Sequence, residues 1–319
     1  MTKLKVIKQE QLNDWAKEIF QKNSFSMVDV SSKKETFRRA LATGKIFVGK
    51  EVLNLIKNKK MPKGDPVALA EVSAVLGVKK TTELIPLCHP LPIDHTATKV
   101  FLNEVDFSLE VYCVVSAVAK TGVEMEAIMG VNAALITIYD LSKIVNQDEL
   151  KDWAKEIFKK NSFNMVDVSS KKETFRRALA SGKIYVGKEV FNMIKNKEMP
   201  KGDPITLAEV SAVLGVKKTS ELIPLCHPLP IDHTATKIIM HEEDSSLEVF
   251  CVVSAVAKTG VEMEAIMGVN AALITIYDLS KIVNPHLKID NVKLLIKEGG
   301  KSGLWTNPDG LPKFLENIF

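Results

Sequence analysis

One long stretch of this 319-residue chain occurs twice, and that repetition constrains the fold more than any local signal. Met27-Val-Asp-Val-Ser returns at Met165, Leu87-Cys-His-Pro-Leu-Pro at Leu225 and Tyr139-Asp-Leu-Ser-Lys at Tyr277, each 138 residues later. A period this long is that of a duplicated domain, since solenoid units are far shorter. Aligned from Leu12 and Leu150, the copies differ mostly by mild exchanges such as Phe47 to Tyr185 and Leu55 to Met193. The chain therefore divides into a first copy, residues 1–149, and a second, residues 150–319. Their ends differ. Copy 1 runs through Lys143-Ile-Val-Asn straight into Gln147-Asp-Glu-Leu-Lys-Asp-Trp, where copy 2 begins. Copy 2 continues past Asn284 through 288–297 and Gly299-Gly-Lys-Ser-Gly into a tail containing Pro and Gly. Copy 1 has no counterpart of that extension. The joining segment, 149–160, places Leu150, Trp153, Ala154, Ile157 and Phe158 at helical spacing and is matched by 12–22, so an ordered amphipathic helix is expected there.

With 46% hydrophobic residues the chain can bury a core in each copy. A net charge of +4, with no dense Lys/Arg stripe interleaved with aromatics, argues against a nucleic-acid partner. It is compatible with an anionic small molecule, for which only local charge matters. The N-terminal Met1-Thr-Lys-Leu-Lys lacks the apolar core of a signal peptide, and the longest apolar runs, such as 133–139, are too short to span a bilayer. No membrane is expected. The four cysteines are two positions each seen twice, Cys88 with Cys226 and Cys113 with Cys251, and no CxxC occurs, so a reduced, cytoplasmic protein is expected.

Within copy 1, residues 36–48 form a mixed segment whose end, Gly44-Lys-Ile-Phe-Val, suits a strand. Residues 49–59 carry Val52, Leu55 and Ile56 at helical spacing, and Met61-Pro-Lys-Gly-Asp-Pro is a loop fenced by prolines. Residues 67–76 read as a helix with Leu69, Val72, Ser73 and Leu76 on one face, and 82–94, with three prolines, are irregular. Strands at 98–102 and 108–118 make a hairpin, 124–145 is a long helix of small and apolar residues, and in copy 2 a last strand follows at 288–297. This order predicts an α+β protein of two tandem ferredoxin-like domains, each an antiparallel sheet with helices on one face. In such a sheet the last strand pairs beside the first. Copy 1, without it, would leave its first strand with an open edge, a liability unless something covers it.

Polar residues bunch where the chain is least regular. Pro62-Lys63-Gly64-Asp65 sets a Lys and an Asp beside a glycine that permits close backbone approach, although a surface turn has the same composition. His89, in a Pro-rigid loop after Leu87 and Cys88, could donate to phosphate or move a proton, or be a structural histidine. Cys88 with His95 invites a zinc reading, but no spaced third and fourth ligands follow. Glu124 and Glu126 suit the positive start of a helix, and with Met125 between them they could bind the donor edge of a purine-like ring. Asp140 and Lys143 share a face of an otherwise apolar helix, where burial can shift a lysine pKa and fit it for acid–base work; an ordinary ion pair is the alternative. Gly299-Gly-Lys-Ser-Gly303 resembles the end of a P-loop, yet Leu295 stands where the first glycine belongs and no helix pattern follows. A Gly-rich strand end with Lys301 can still hold phosphate through its N–H groups.

In order, Met-Val-Asp-Val-Ser-x-Lys-x-x-Thr, Met-Pro-Lys-Gly-Asp, Leu-Ile-Pro-Leu-Cys-His-Pro-Leu, Lys-Thr-Gly-Val-Glu-Met-Glu-Ala, Thr-Ile-Tyr-Asp-x-x-Lys and Gly-Gly-Lys-Ser-Gly resemble the cyclic pyranopterin monophosphate synthase family of molybdenum cofactor biosynthesis. The resemblance covers nearly all of both copies from Met27 and Met165. It implies a ferredoxin-like core, assembly as trimers of dimers with sites at the dimer interface, and a reaction. That reaction is conversion of 3′,8-cyclo-7,8-dihydro-GTP into cyclic pyranopterin monophosphate with release of pyrophosphate. Carried over by motif, Lys63 and Lys201 would be catalytic, as would Asp140 with Lys143 and Asp278 with Lys281. Substrate contacts would come from Leu87, Cys88 and His89, from Leu225, Cys226 and His227, and from Met125 and Glu126 with Met263 and Glu264. Arg38, Arg176 and Lys301 would help hold phosphate.

These residue types suit that chemistry. Closing a cyclic phosphate needs an attacking hydroxyl, positive charge on the phosphates and positioned acids and bases, and no redox cofactor or metal is required. The implied partner is a purine-derived triphosphate, and the implied assembly is a homo-oligomer of three internal pseudo-dimers, although the copies could equally pair across chains. Two other functional classes make different demands on the sequence. A binding or scaffold protein that had lost turnover would be expected to have lost Lys63 or Asp140, and neither is lost. A metal hydrolase on Cys88, His89 and His95 would carry stoichiometric zinc.

Overall fold

The computed structural model describes residues 27–62, 64–143, 165–300 and 303–313, together with Phe25 and Phe163. The expected junction helix at 149–160, its match at 12–22, Lys63 and Lys301 lie outside the described residues. Copy 1 folds as β1 (Thr36–Phe47), α1 (Gly49–Lys57), α2 (Pro66–Lys79), the short α3 (Thr81–Leu84), β2 (His95–Asn103), β3 (Ser108–Ala119) and α4 (Glu124–Ser142). Copy 2 repeats this as β4 (Thr174–Tyr185), α5 (Lys188–Lys195), α6 (Pro204–Leu222), β5 (His233–His241), β6 (Ser246–Ala257) and α7 (Glu262–Ser280). It then adds β7 (Lys288–Glu298) and a two-residue β8 (Trp305–Thr306). Among the described residues no helix is long and apolar enough to cross a membrane.

Two antiparallel sheets result, ordered β1-β3-β2 and β5-β6-β4-β7-β8. In copy 2 the long helix α7 lies on β4, β6 and β7 and packs along α6. This is the expected α+β, ferredoxin-like arrangement, with β7 beside the first strand of its copy. The first strand is longer than its last five residues suggested, because β1 pairs with β3 over its whole length, from Thr36 opposite Ala119 to Phe47 opposite Ser108. Its inward positions include Ala40, Ala42, Gly44 and Ile46. A Cβ on Gly44 would stand 2.7 Å from both Leu135 and Val131 of α4. The helix rides so close that only small residues fit beneath it, and small residues give little period-2 hydrophobic signal.

The same closeness corrects the expected face of α2. Its buried stripe is Leu69, Ala70, Ser73, Ala74, Gly77 and Val78, whereas Val72 is exposed. A Cβ on Gly77 would lie 2.8 Å from the Ala133 Cβ and from the Met129 carbonyl of α4, so contact is made by the residues with least side chain.

β1 and β4 have nearly the same sequence but not the same environment. Alternate residues of β1 are exposed along its length, while β4 is largely covered by β7. Leu41 is 68% exposed, whereas its counterpart Leu179 packs with Leu295 and Ile296 of β7. Among the described residues no strand pairs with the outer edge of β1.

The two copies share one core. Leu84, Ile85, Cys88, Met125, Met129 and Ile136 of copy 1 belong to the same buried cluster as the α6 and α7 side chains. At the rim, Lys80 pairs with Glu221 and Lys218 with Glu83, the reciprocal pattern of an isologous contact. α4 and α7 cross with opposite polarity: Lys281 at the end of α7 reaches Glu124 at the start of α4 at 3.7 Å, and Lys143 at the end of α4 lies in the field of Glu262 at the start of α7.

Candidate active site

The Lys-Gly-Asp loop is held by its own residues. Asp65 is the N-cap of α2, its Oδ1 accepting from the Val67 N–H at 2.9 Å, with Pro66 in the first helical position. Asp203 caps α6 in the same way through the Ile205 N–H at 3.0 Å. Gly202 has φ +100, and a Cβ there would stand 2.7 Å from the Phe25 ring of the other copy. A glycine is required on both counts. So anchored, the loop turns Lys201 inward, where its buried Nζ donates to the Asp278 carbonyl and to Oδ2, both at 3.4 Å.

Asp278 and Lys281 occupy the last turn of α7, with Lys281 Nζ 3.1 Å from Asp278 Oδ1 and the carboxylate only 2% exposed. Opposite them stands copy 1. A cavity of about 410 Å³ is lined by Leu87, Cys88, His89, Met125 and Glu126 of copy 1 and by Lys201, Asp278 and Lys281 of copy 2. The two halves come from different copies because α4 and α7 run antiparallel, which brings the start of each helix to the end of the other. His89 Nε2 donates to the Val28 carbonyl at 2.8 Å and ties the Met-Val-Asp-Val-Ser segment to the cavity wall.

The electrostatics are uneven. Burial pushes Glu126 up to about 7, and its Oε2 has no hydrogen-bond partner although it lines the cavity. An orphaned carboxyl oxygen of near-neutral pKa can accept an N–H from a ring or carry a proton at physiological pH. Burial works against the charge on Lys281, but Asp278, Cys88 and Glu124 outweigh it and hold its pKa above the usual lysine value. The shift is therefore upward, and Lys281 is a fixed cation and potential acid. Burial likewise raises the Cys88 thiol, so this cysteine is a neutral wall residue and not a nucleophile.

A second, related constellation uses the opposite halves. Lys143 Nζ lies 3.3 Å from Asp140 Oδ1, and Glu262, Asp140 and Cys226 overcome the burial that opposes its charge. Burial raises Glu264 to about 7, as it does Glu126. Met263, which separates Glu262 and Glu264 in the sequence, is buried, and Leu225 and His227 flank Cys226 in the half-buried loop.

Two predicted residues stand apart. Arg38 donates from Nε and Nη2 to the carbonyls of Ala119 and Lys120, and Arg176 to those of Ala257 and Lys258, all at 3.4 Å. Both brace the strand-to-helix loop, and neither lines the cavity. Conversely, Lys33, Thr121, Gly122 and Tyr277 line it without having been singled out, and Glu124, read from the sequence beside Glu126, lines it too. Lys33 and Tyr277 sat inside recognised motifs, but their place on the wall depends on contacts that spacing does not reveal. Among the described residues no group of three His, Cys, Asp or Glu side chains could hold a metal ion, and His95 is exposed at the start of β2.

Among curated relatives, a cyclic pyranopterin monophosphate synthase of Campylobacter jejuni is 46% identical over 144 residues, 45% of this chain and 92% of that protein. The protein of the same name from Thermomicrobium roseum is 41% identical over 145 residues, 46% of this chain and 87% of its own length. That from Aquifex aeolicus is 42% identical over 146 residues, 46% of this chain and 57% of its own. Each relative thus matches about one copy's worth of chain, and the MoaC family model matches twice, over residues 27–159 and 165–300. The chain belongs to the MoaC family.

Proposed function

We propose that this chain is a cyclic pyranopterin monophosphate synthase of the cytoplasm, acting on 3′,8-cyclo-7,8-dihydro-GTP and releasing pyrophosphate in an early step of molybdenum cofactor biosynthesis. The observation that carries the reading is the shared cavity, in which Lys201, Asp278 and Lys281 of one copy face His89, Met125 and Glu126 of the other. Its volume, about 410 Å³, is of the size that takes a small ligand. In the reaction a substrate hydroxyl oxygen forms a bond to the α-phosphorus. The bond from that phosphorus to the bridging oxygen breaks, and pyrophosphate leaves with the electron pair. Lys201 and Lys281 supply fixed positive charge where negative charge gathers on the phosphates, and Lys143 does so at the second site, where the repeat assigns Lys63 the part of Lys201. Glu126 and Glu264, raised to about 7, suit the proton transfers and the donor edge of the ring. The unit boundary falls at 149/150, and three such chains, each an internal pseudo-dimer, make the working homo-oligomer.

The test is pyrophosphate release with product mass from 3′,8-cyclo-7,8-dihydro-GTP, for the intact chain and for Lys63→Ala and Lys201→Ala. Turnover lost in part by each variant supports two working sites. No turnover by the intact chain overturns the reading.

A further inference from the structure

The two sites carry the same substrate-facing sequence, Lys-Thr-Gly-Val-Glu-Met-Glu, but not the same surroundings. At the first, the Glu124 side chain is 55% exposed and reaches Lys281 only at 3.7 Å. At the second, its counterpart Glu262 is 13% exposed and meets Lys297 Nζ at 3.5 Å, and it lies in the field of Lys143. Lys297 stands near the end of β7, opposite Ala178 of β4, its ammonium 5.9 Å from the centre of the Trp305 ring. Gly299 and Gly300 follow at φ +104 and +71, and a Cβ on Gly300 would fall 1.8 Å from Arg176 Nη1. Arg176 in turn holds the Ala257 and Lys258 carbonyls, where the loop to Glu262 begins. The end of β7 thus lies against the second site's loop. Copy 1 has no counterpart of β7, and among the described residues the cation that meets Glu124 is Lys281.

We propose that Lys297 is a positioning residue for one site only, fixing Glu262 in the field of Lys143, so that each chain holds one braced and one open site. The braced site combines Glu262 and Glu264 with Asp140 and Lys143, and the open site combines Glu124 and Glu126 with Asp278 and Lys281. The truncation of copy 1 therefore weakens the site whose acid–base pair belongs to the complete copy. This rests on the synthase reading of the cavity. With the charges of Lys143 and Lys297 near it Glu262 stays ionised despite its burial, and the Lys297 contact holds that carboxylate in one place before substrate arrives.

The experiment isolates each site. Lys281→Ala leaves the braced site, and Lys143→Ala leaves the open one. Lys297→Met, which keeps the aliphatic stem, is added to each. In the Lys281→Ala background kcat/KM should fall about tenfold or more, with the acid limb of the pH profile moving up and Lys297→Arg restoring both. In the Lys143→Ala background kcat/KM should not move. Equal losses in both backgrounds, or none in either, overturn the proposal. Carbon-13 titration of the glutamate carboxyls decides it without turnover. Lys297→Met should raise the Glu262 midpoint and leave that of Glu124 in place, and a stationary Glu262 overturns the brace. A chain with no turnover whose Glu262 still moves would sink the synthase reading and support the brace.

Discussion

Replacing Glu126 by Gln should stabilise the protein increasingly as pH rises above about 4.5. Glu126 is 3% exposed, its Oε2 lacks a partner, and burial raises its pKa to about 7 from the ordinary 4.5. At roughly 1.4 kcal/mol per pKa unit, that difference corresponds to roughly 3 kcal/mol spent holding the ionised form in the fold. Between the unfolded and folded values the native chain keeps a proton that the unfolded chain has released. Stability therefore falls as pH rises from about 4.5 to about 7, and the full penalty is present above that window. Glutamine mimics the protonated acid at all pH. Urea denaturation of wild type and Glu126→Gln at pH 4.5, 6 and 8 should show a difference that grows toward roughly 3 kcal/mol in favour of the variant. Any fixed cost of the amide cancels when the pH values are compared. A difference that stays flat across the range would refute the reasoning, because it would mean the carboxyl is solvated or paired in the native state.

Other outcomes follow from particular contacts. Gly300→Ala puts a Cβ 1.8 Å from Arg176 Nη1 at φ +71 and should cost about 1–3 kcal/mol by denaturant titration. Gly49→Ala, at φ +80 but with no atom within 4 Å of its Cβ, should cost only about 1 kcal/mol. Thr137 and Thr275 each place a buried hydroxyl 2.8 Å from a serine, Ser73 or Ser211, so Thr137→Val and Thr275→Val should each lose about 1–2 kcal/mol and by similar amounts. A large inequality would mean the copies are not packed alike. Lys80→Ala removes a partly exposed pair with Glu221 and should scarcely move the urea denaturation midpoint.

The order of elements was legible because helix and hairpin signals in this chain are strong, and the duplication let each copy check the other. What stayed hidden had a common cause. Ala40, Ala42 and Gly44 of β1, and Ala70, Ala74 and Gly77 of α2, are buried because elements approach closely, and small side chains register weakly in any hydrophobic pattern. The motif residues of the cavity were visible one by one. That Lys201, Asp278 and Lys281 meet the wall of the other copy was not, because it follows from the opposed crossing of α4 and α7 and from no local spacing. Asp65 and Asp203 show the converse, since residues that looked like site chemistry spend their carboxylates capping helices.

That crossing makes a prediction about pairs of substitutions. Glu126 and Lys143 lie in the same copy but at different sites, whereas Glu126 and Lys281 lie in different copies at one site. Groups that act as a unit are strongly non-additive, while independent sites are lost separately. Glu126→Gln with Lys281→Ala should therefore keep whatever turnover the remaining site provides, scarcely below Lys281→Ala alone. Glu126→Gln with Lys143→Ala damages both sites and should leave almost none. If each copy were instead a self-contained enzyme, the two results would exchange places: the same-copy pair would spare one site and the cross-copy pair would destroy both. Steady-state pyrophosphate release from the two double variants and their parents distinguishes these cases without knowledge of how many chains assemble, because the comparison depends only on which side chains share a cavity.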